Sequence, residues 1–244
     1  MAKHIVIHAG QHKTGSKSIQ RYISDNTLFL RRHGLFPCPE WKTDLTQVQS
    51  VPKYNAAAIA HAMLRTDLLT PVRLKGRHEI MPRAACEAGI ARVNAYLRAV
   101  PEDTAIVSAE AFSFMRTAQE RALLDMLCDG MAMRSIIFLR EPRAWRESWR
   151  VQVEYGQLIE QPGAEAGVGI FDFSETSWLT DHAAIRAFWG EQCTFLSYED
   201  AVANHGSVIP AFLAAVGLDP AGCPPWDKIF LNSSARKLER MDKE

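Results

Sequence analysis

The sequence predicts an α/β fold, a parallel β-sheet flanked by helices. Three observations lead there. Short apolar runs alternate along the chain with stretches of helical periodicity. Two of the runs, Ile5-Val6-Ile7 and Ile136-Ile137-Phe138-Leu139, are unbroken, as strands covered on both faces are. Apolar residues make up 47% of the 244 residues, enough for the core of one substantial domain.

Each element has its own signal. Residues 3–8 form the first strand, and 16–32 a helix closed by Gly34. Residues 35–82 are irregular, with Pro37, Pro39, Pro52, Pro71 and Pro82 and one apolar helix near Asn55–Leu64. Helices are expected at 83–99, 117–129 and 143–158, and strands at 104–109 and 134–139. The Gly-rich stretch Gln161–Phe173 (Gly163, Gly167, Gly169) reads as a mobile loop, either a lid or an ordinary connector. A helix at 178–189 precedes a strand at Cys193–Ser197. Tyr198-Glu199-Asp200 then caps a helix at about 206–216. The whole of 1–244 reads as a single domain.

Composition excludes some roles. Twenty-eight basic and 28 acidic residues give a net charge of +0, which argues against a general nucleic-acid or anionic-membrane binder. Five scattered cysteines with no Cys/His cluster predict no metal site and reduced thiols, as in a cytoplasm. There is no signal-peptide pattern and no run long enough to span a bilayer, so a soluble cytoplasmic protein is expected.

The densest chemistry lies in His8-Ala9-Gly10-Gln11-His12-Lys13-Thr14-Gly15-Ser16-Lys17-Ser18. A strand, a glycine loop and a helix start together make an anion cradle, because loop amides and the helix dipole converge there. Lys13 and Lys17 add charge, and Thr14, Ser16 and Ser18 add hydroxyls. Gly10 and Gly15 have the separation of the P-loop G-x-x-x-x-G-K-[ST], but Ser16 stands where its lysine belongs. Lys17 comes one place late, a rotation of roughly 100° on a helix. A nucleotidase loop is therefore damaged.

A second cluster follows the apolar run at 135–139: Arg140-Glu141-Pro142, then Ser148. Pro142 suits the first turn of a helix, which puts Arg140 at the carboxyl end of a strand, where open parallel sheets bind ligands. Arg143, Arg146 and Arg150 alternate with Glu147 and Glu154 as a solvated helix face, and Trp145, Trp149 and Val153 share core spacing. The strand at 104–109 ends in Glu110.

The first motif resembles the 5′-phosphosulfate loop of sulfotransferases that use 3′-phosphoadenosine 5′-phosphosulfate (PAPS). The match covers His8, Gly10, His12, Lys13, Thr14, Gly15, Ser18 and Gln20, with Ser16 conservative and Lys17 a departure. Arg-x-Pro-x-x-x-x-x-Ser at Arg140–Ser148 resembles the same family's 3′-phosphate motif. The resemblance implies a P-loop-like sulfotransferase fold and PAPS as donor, with 3′-phosphoadenosine 5′-phosphate (PAP) as product and no metal. It implies Gly10, Lys13, Thr14, Gly15, Ser16, Lys17 and Ser18 around the 5′ end, and Arg140 and Ser148 on the 3′-phosphate.

Sulfuryl transfer needs a base and a positive group at the leaving oxygen. Lys13 suits the second role. Glu110 either acts as base or orders the loop, with His12 and His8 in reserve. The acceptor is expected to be a small molecule or glycan hydroxyl or amine, with no nucleic acid and no membrane span; the oligomeric state is open. Asn232-Ser233-Ser234 resembles a late family step, with Arg236 and Lys237 as counterparts of basic residues that complete the 3′-phosphate site. Two alternatives stand beside this reading: a P-loop kinase or NTPase, and a non-catalytic nucleotide-binding protein of the same fold.

Overall fold

The computed structural model describes residues 2–50, 53–161, 163–227 and 229. Asn232, Ser233, Ser234, Arg236 and Lys237 lie outside the described residues. Five strands form one sheet in the order β2-β3-β1-β4-β5, and every pairing is parallel. They are β1 (His4–His8), β2 (Leu35–Pro37), β3 (Thr104–Ser108), β4 (Ala132–Leu139) and β5 (Cys193–Ser197).

Alternation explains why the central strands are apolar throughout. Ile5 and Ile7 of β1, Ala105 and Val107 of β3, and Ile137 and Leu139 of β4 enter one core. Val6, Ile106, Ile136 and Phe138 enter the other, on the opposite face. The first core is closed by α3 (Ala57–Met63), α5 (Arg83–Ala99), α6 (Ala118–Cys128), α7 (Pro142–Tyr155) and α8 (His182–Trp189). The second is closed by α1 (Ser16–Asp25), α2 (Thr27–Arg32), α9 (Tyr198–His205) and α10 (Ile209–Ala215). The short α4 (Pro71–Leu74) lies between α3 and α5 in sequence. Each fully buried large side chain on these faces, such as Trp145, Trp149 or Phe212, contributes about 1.5–3 kcal/mol of transfer free energy.

Several expected elements change shape. The helix expected at 16–32 is two helices. Asn26 Nδ2 donates to the Tyr22 carbonyl at 2.9 Å and the Thr27 hydroxyl donates to Ile23 at 2.9 Å. These side chains compete with the backbone ladder and break it. Strand β2 stands where irregular chain was expected; Pro37 is tolerated because β2 is an edge strand. The helix expected at 178–189 starts as a 3₁₀ turn (Trp178–Thr180) and restarts at His182, where Asp181 accepts from the Ala184 amide at 2.9 Å.

Tyr198-Glu199-Asp200 do not cap a later helix. They are the first turn of α9, which Ser197 caps by accepting from the Asp200 amide at 3.1 Å. Gly206, with φ of 67°, ends α9 before α10 begins. In the Gly-rich segment, Ile170 and Phe171 are buried, and their stretch is held by Trp149 Nε1 donating to Ile170 at 2.8 Å and Trp178 Nε1 donating to Gly169 at 3.0 Å. Among the described residues, none of 161–173 lines the main cleft, and no helix is long and apolar enough to cross a membrane.

Candidate active site at the carboxyl edge of the sheet

A parallel sheet points all its strand ends one way, so the residues following β1, β3 and β4 meet at one edge. A cleft of about 730 Å³ opens there. It is lined by His12, Lys13, Gly15, Ser16, Lys17 and Ser18 after β1, Glu110 after β3, and Arg140 and Ser148 after β4. The size is that of a small-molecule site.

The loop is held from below and from the side. His8 pairs across to Ser108, its neighbour in register, with Nδ1 to Oγ at 2.8 Å. Burial pushes the His8 ring down to about 3, so it stays neutral beneath the loop and outside the cleft. A Cβ at Gly10 would sit 2.2 Å from Ser16 Oγ and 2.9 Å from His8 Nε2, which is why the loop needs glycine there. Gly15 has φ of 80° and lies against Val208, so it too excludes a side chain. Lys13 occupies the left-handed region at φ 69° without being glycine. Two donors from the other motif stabilise this turn. Arg140 Nη1 donates to the Lys13 carbonyl at 3.0 Å, and Trp145 Nε1 donates to the His12 carbonyl.

Not every loop residue faces the cleft. Thr14 is fully buried and its hydroxyl donates to the Gln11 carbonyl, so the side chain closes the loop on itself. Gly10 and Thr14 are absent from the cleft lining and shape the cradle from behind. Gln11 bridges two elements, donating to the Leu179 carbonyl at 3.0 Å and accepting from the Arg140 amide at 3.3 Å. No side chain caps the first turn of α1; the Ser18 amide donates to the Gly15 carbonyl at 2.8 Å, while the helix N-terminus faces the cleft at Ser16 and Lys17. Ser16 Oγ is buried there with no hydrogen-bond partner.

Arg140 is fixed before any ligand arrives. Its guanidinium lies over the Tyr198 ring at 4.9 Å, and Nε is 3.9 Å from Glu199. Ser148 is buried on α7 and lines the same cleft. Pro142 starts α7, and Glu141 accepts from the Arg143 and Ala144 amides at 2.9 Å and 2.7 Å, which sets the helix that carries Ser148.

Within the loop, His12 faces the end of β3, with Nε2 3.6 Å from Glu110 Oε2. The His12 ring stacks on Phe114 at 4.7 Å and meets Trp149 edge-on at 5.0 Å. Burial pushes its pKa down to about 3, helped by Lys17 and Lys13, so the imidazole is neutral. Burial raises the Glu110 carboxyl, and the charges of Lys17 and Lys13 pull it back down. Lys17, the departure from the family pattern, therefore lines the cleft and acts electrostatically on both groups.

A wall from residues 55–77 completes the cleft with Asn55, His61, Thr70, Lys75 and Arg77. Sequence reasoning named none of these as site residues: it expected an apolar helix near Asn55–Leu64 and took the proline-interrupted segment as a whole for acceptor recognition, with no motif to single out a side chain. Tyr198 was missed as well, although its position directly after β5 puts it at the same edge as Arg140 and was a usable signal. Among the described residues no three His, Cys, Asp or Glu side chains converge as metal ligands. The chemistry of the donor set is that of a polyanion site: buried hydroxyls, a helix N-terminus, lysines and one braced guanidinium.

Fold and cleft together define a parallel α/β protein with a cation-lined cleft at the carboxyl edge of its sheet. A sulfotransferase from Alicyclobacillus acidocaldarius shares this architecture, with a TM-score of 0.53 and 12% identity over 99% of this chain and 92% of that one. The sulfotransferase domain from the curacin biosynthetic pathway aligns at a TM-score of 0.49 and 13% identity, covering 96% of this chain and 79% of its own. No family model and no curated protein matches the chain. The fold is the sulfotransferase fold, as the two motifs led one to expect; at such identity the likeness speaks to architecture alone.

Proposed function

We propose that this protein is a sulfotransferase that moves a sulfuryl group from PAPS to an acceptor hydroxyl or amine. The observation that carries the reading is the meeting of Lys13, Ser16 and Lys17 with Arg140 and Ser148 in one cleft, beside Glu110. A donor with a 5′-phosphosulfate and a 3′-phosphate needs anion-binding groups for each, and residues of both motifs line the one cleft in support of this reading. The buried, partnerless Ser16 Oγ fits a ligand oxygen.

The donor supplies an activated sulfur–oxygen bond. The acceptor oxygen or nitrogen forms a new bond to sulfur as the bond from sulfur to the 5′-phosphate oxygen breaks. Lys13 stabilises the negative charge that develops on that departing oxygen. Glu110 takes the proton from the acceptor, and the neutral His12 beside it orients the carboxylate. Arg140 and Ser148 hold the 3′-phosphate, and Arg140 also steadies the Lys13 carbonyl, so donor binding and loop geometry are linked. A single domain, as the sequence suggests, suffices for this chemistry.

The test is a thermal-shift titration with PAP, ADP, and ATP plus magnesium. A ligand that binds only the folded state must raise the midpoint. PAP is expected to stabilise well beyond ADP, and Arg140→Ala to remove most of that difference, since losing a charge-assisted phosphate contact costs about 1.5–3 kcal/mol. Stabilisation by ATP with magnesium alone would instead favour a kinase or NTPase. PAP binding without transfer from PAPS to any acceptor would indicate the non-catalytic alternative.

A further inference from the structure

The cleft holds more positive charge than the donor motifs account for. Among the described residues five cations line it, Lys13, Lys17, Lys75, Arg77 and Arg140, against one carboxylate, Glu110. Lys13, Lys17 and Arg140 come from the two phosphate motifs. Lys75 and Arg77 come from the separate wall built by α3, α4 and the turn after α4.

That wall is braced from within. Arg73 Nη1 donates to the Arg65 and Leu68 carbonyls at 2.7 and 2.8 Å, and Nη2 donates to His61 and Leu64 at 2.9 and 3.2 Å. One guanidinium thus ties the end of α3 to α4. His61 Nδ1 donates to the Ala57 carbonyl at 2.7 Å, which leaves Nε2 to accept from the Thr70 hydroxyl at 2.9 Å. Burial pushes the His61 ring down to about 3, so it adds no charge. Lys75 and Arg77 project from this braced hairpin, and both are exposed at the cleft. Arg73 and Arg65 spend their charge inside the hairpin, where Arg65 meets Glu120 and Asp67. Among the described residues no carboxylate is ion-paired with Lys75 or Arg77.

We propose that Lys75 and Arg77 form an oxyanion subsite for the acceptor, so that the acceptor carries a carboxylate, sulfate or phosphate of its own beside the reacting hydroxyl or amine. The proposal rests on the sulfotransferase reading, in which the donor occupies the two phosphate motifs. Two exposed like charges on one wall, with no carboxylate paired to either among the described residues, raise the local positive potential and favour an anion there. Arg77 offers a planar fork for an oxyanion and Lys75 a point charge. A neutral acceptor would leave both charges in water and gain nothing from the wall.

The experiment uses inorganic sulfate as the probe on the full chain saturated with PAP. Thermal midpoints are read against sodium chloride at equal ionic strength, for wild type and for Lys75→Ala/Arg77→Ala. The expected result is a further sulfate-specific rise in wild type that disappears in the double variant, while the PAP shift itself is unchanged. An equal sulfate increment in both proteins overturns the proposal, since the anion then sits beside Lys13 or on the general surface. No increment in wild type overturns it too. Loss of the PAP shift in the double variant assigns Lys75 and Arg77 to the donor and rejects the acceptor subsite. Failure of PAP to shift wild type at all is the separate result that rejects the sulfotransferase reading.

Discussion

Lys17 is the residue at which this loop departs from the family pattern, and its position gives the departure a consequence. Its charge lowers the pKa of Glu110 against the burial that raises it. A base must be ionised to accept a proton, so if Glu110 is the base proposed above, Lys17 widens the pH range in which it can work. Replacing it with methionine removes that pull and leaves burial less opposed. The acidic limb of kcat/KM is then expected to move to higher pH in Lys17→Met. An unmoved limb would mean that Glu110 is not the group titrating. His12 belongs to the same small set. The sequence placed it inside the loop, but only the structure put its ring between Phe114 and Trp149 and 3.6 Å from Glu110. Residues from distant parts of the chain meet there, and no spacing rule reports such a contact.

At the scale of elements, the N-terminus of α6 shows how the wall of the cleft is tied to the scaffold. Thr117 and Glu120 form a reciprocal capping box. Glu120 is 1% exposed, yet its Oε2 accepts from the Arg116 and Thr117 amides at 2.7 and 2.8 Å. Its Oε1 accepts from the Arg65 amide at 3.0 Å and faces the Arg65 guanidinium at 3.3 Å. Burial alone would raise this carboxyl; the amides of Arg116, Arg65 and Thr117 outweigh it and hold the group below its ordinary value. Glu120→Ala strands those donors and is expected to cost about 3–5 kcal/mol of unfolding free energy. Thr117→Ala loses only a cap, about 1 kcal/mol. Urea unfolding of both variants checks the ordering, and a loss at Glu120 no larger than at Thr117 would contradict it. The helices with full amphipathic stripes, such as α5, were legible to the residue. The break at Asn26 and the start of α9 were not, because single side-chain hydrogen bonds decide them.

The whole molecule carries an acid sensitivity set by its buried imidazoles. His8, His12 and His61 are each pushed from 6.5 to about 3, chiefly by burial. The unfolded chain binds protons below pH 6.5 that the folded rings refuse. Stability from these three groups is complete above that pH and is lost as pH falls toward 3. Glu120 acts in the same direction below its ordinary value, whereas Glu110, raised in the fold, opposes it. The urea midpoint is expected to fall steadily between pH 6.5 and 4.5. A flat profile would show that the rings are open to protons in the folded state.

The sequence by itself determined the α/β class and the order of most strands and helices, and it picked out the two motifs. These are local properties: apolar runs, glycines where no Cβ fits, and an arginine and a proline at a strand end. Tertiary structure alone decided that both motifs open into one cleft, that Thr14 turns inward while Lys17 faces the cleft, and that Lys75 and Arg77 join it. The physical reason is the parallel sheet. It gathers strand ends from distant parts of the chain at one edge, and which side chains then face each other depends on packing that no local pattern encodes.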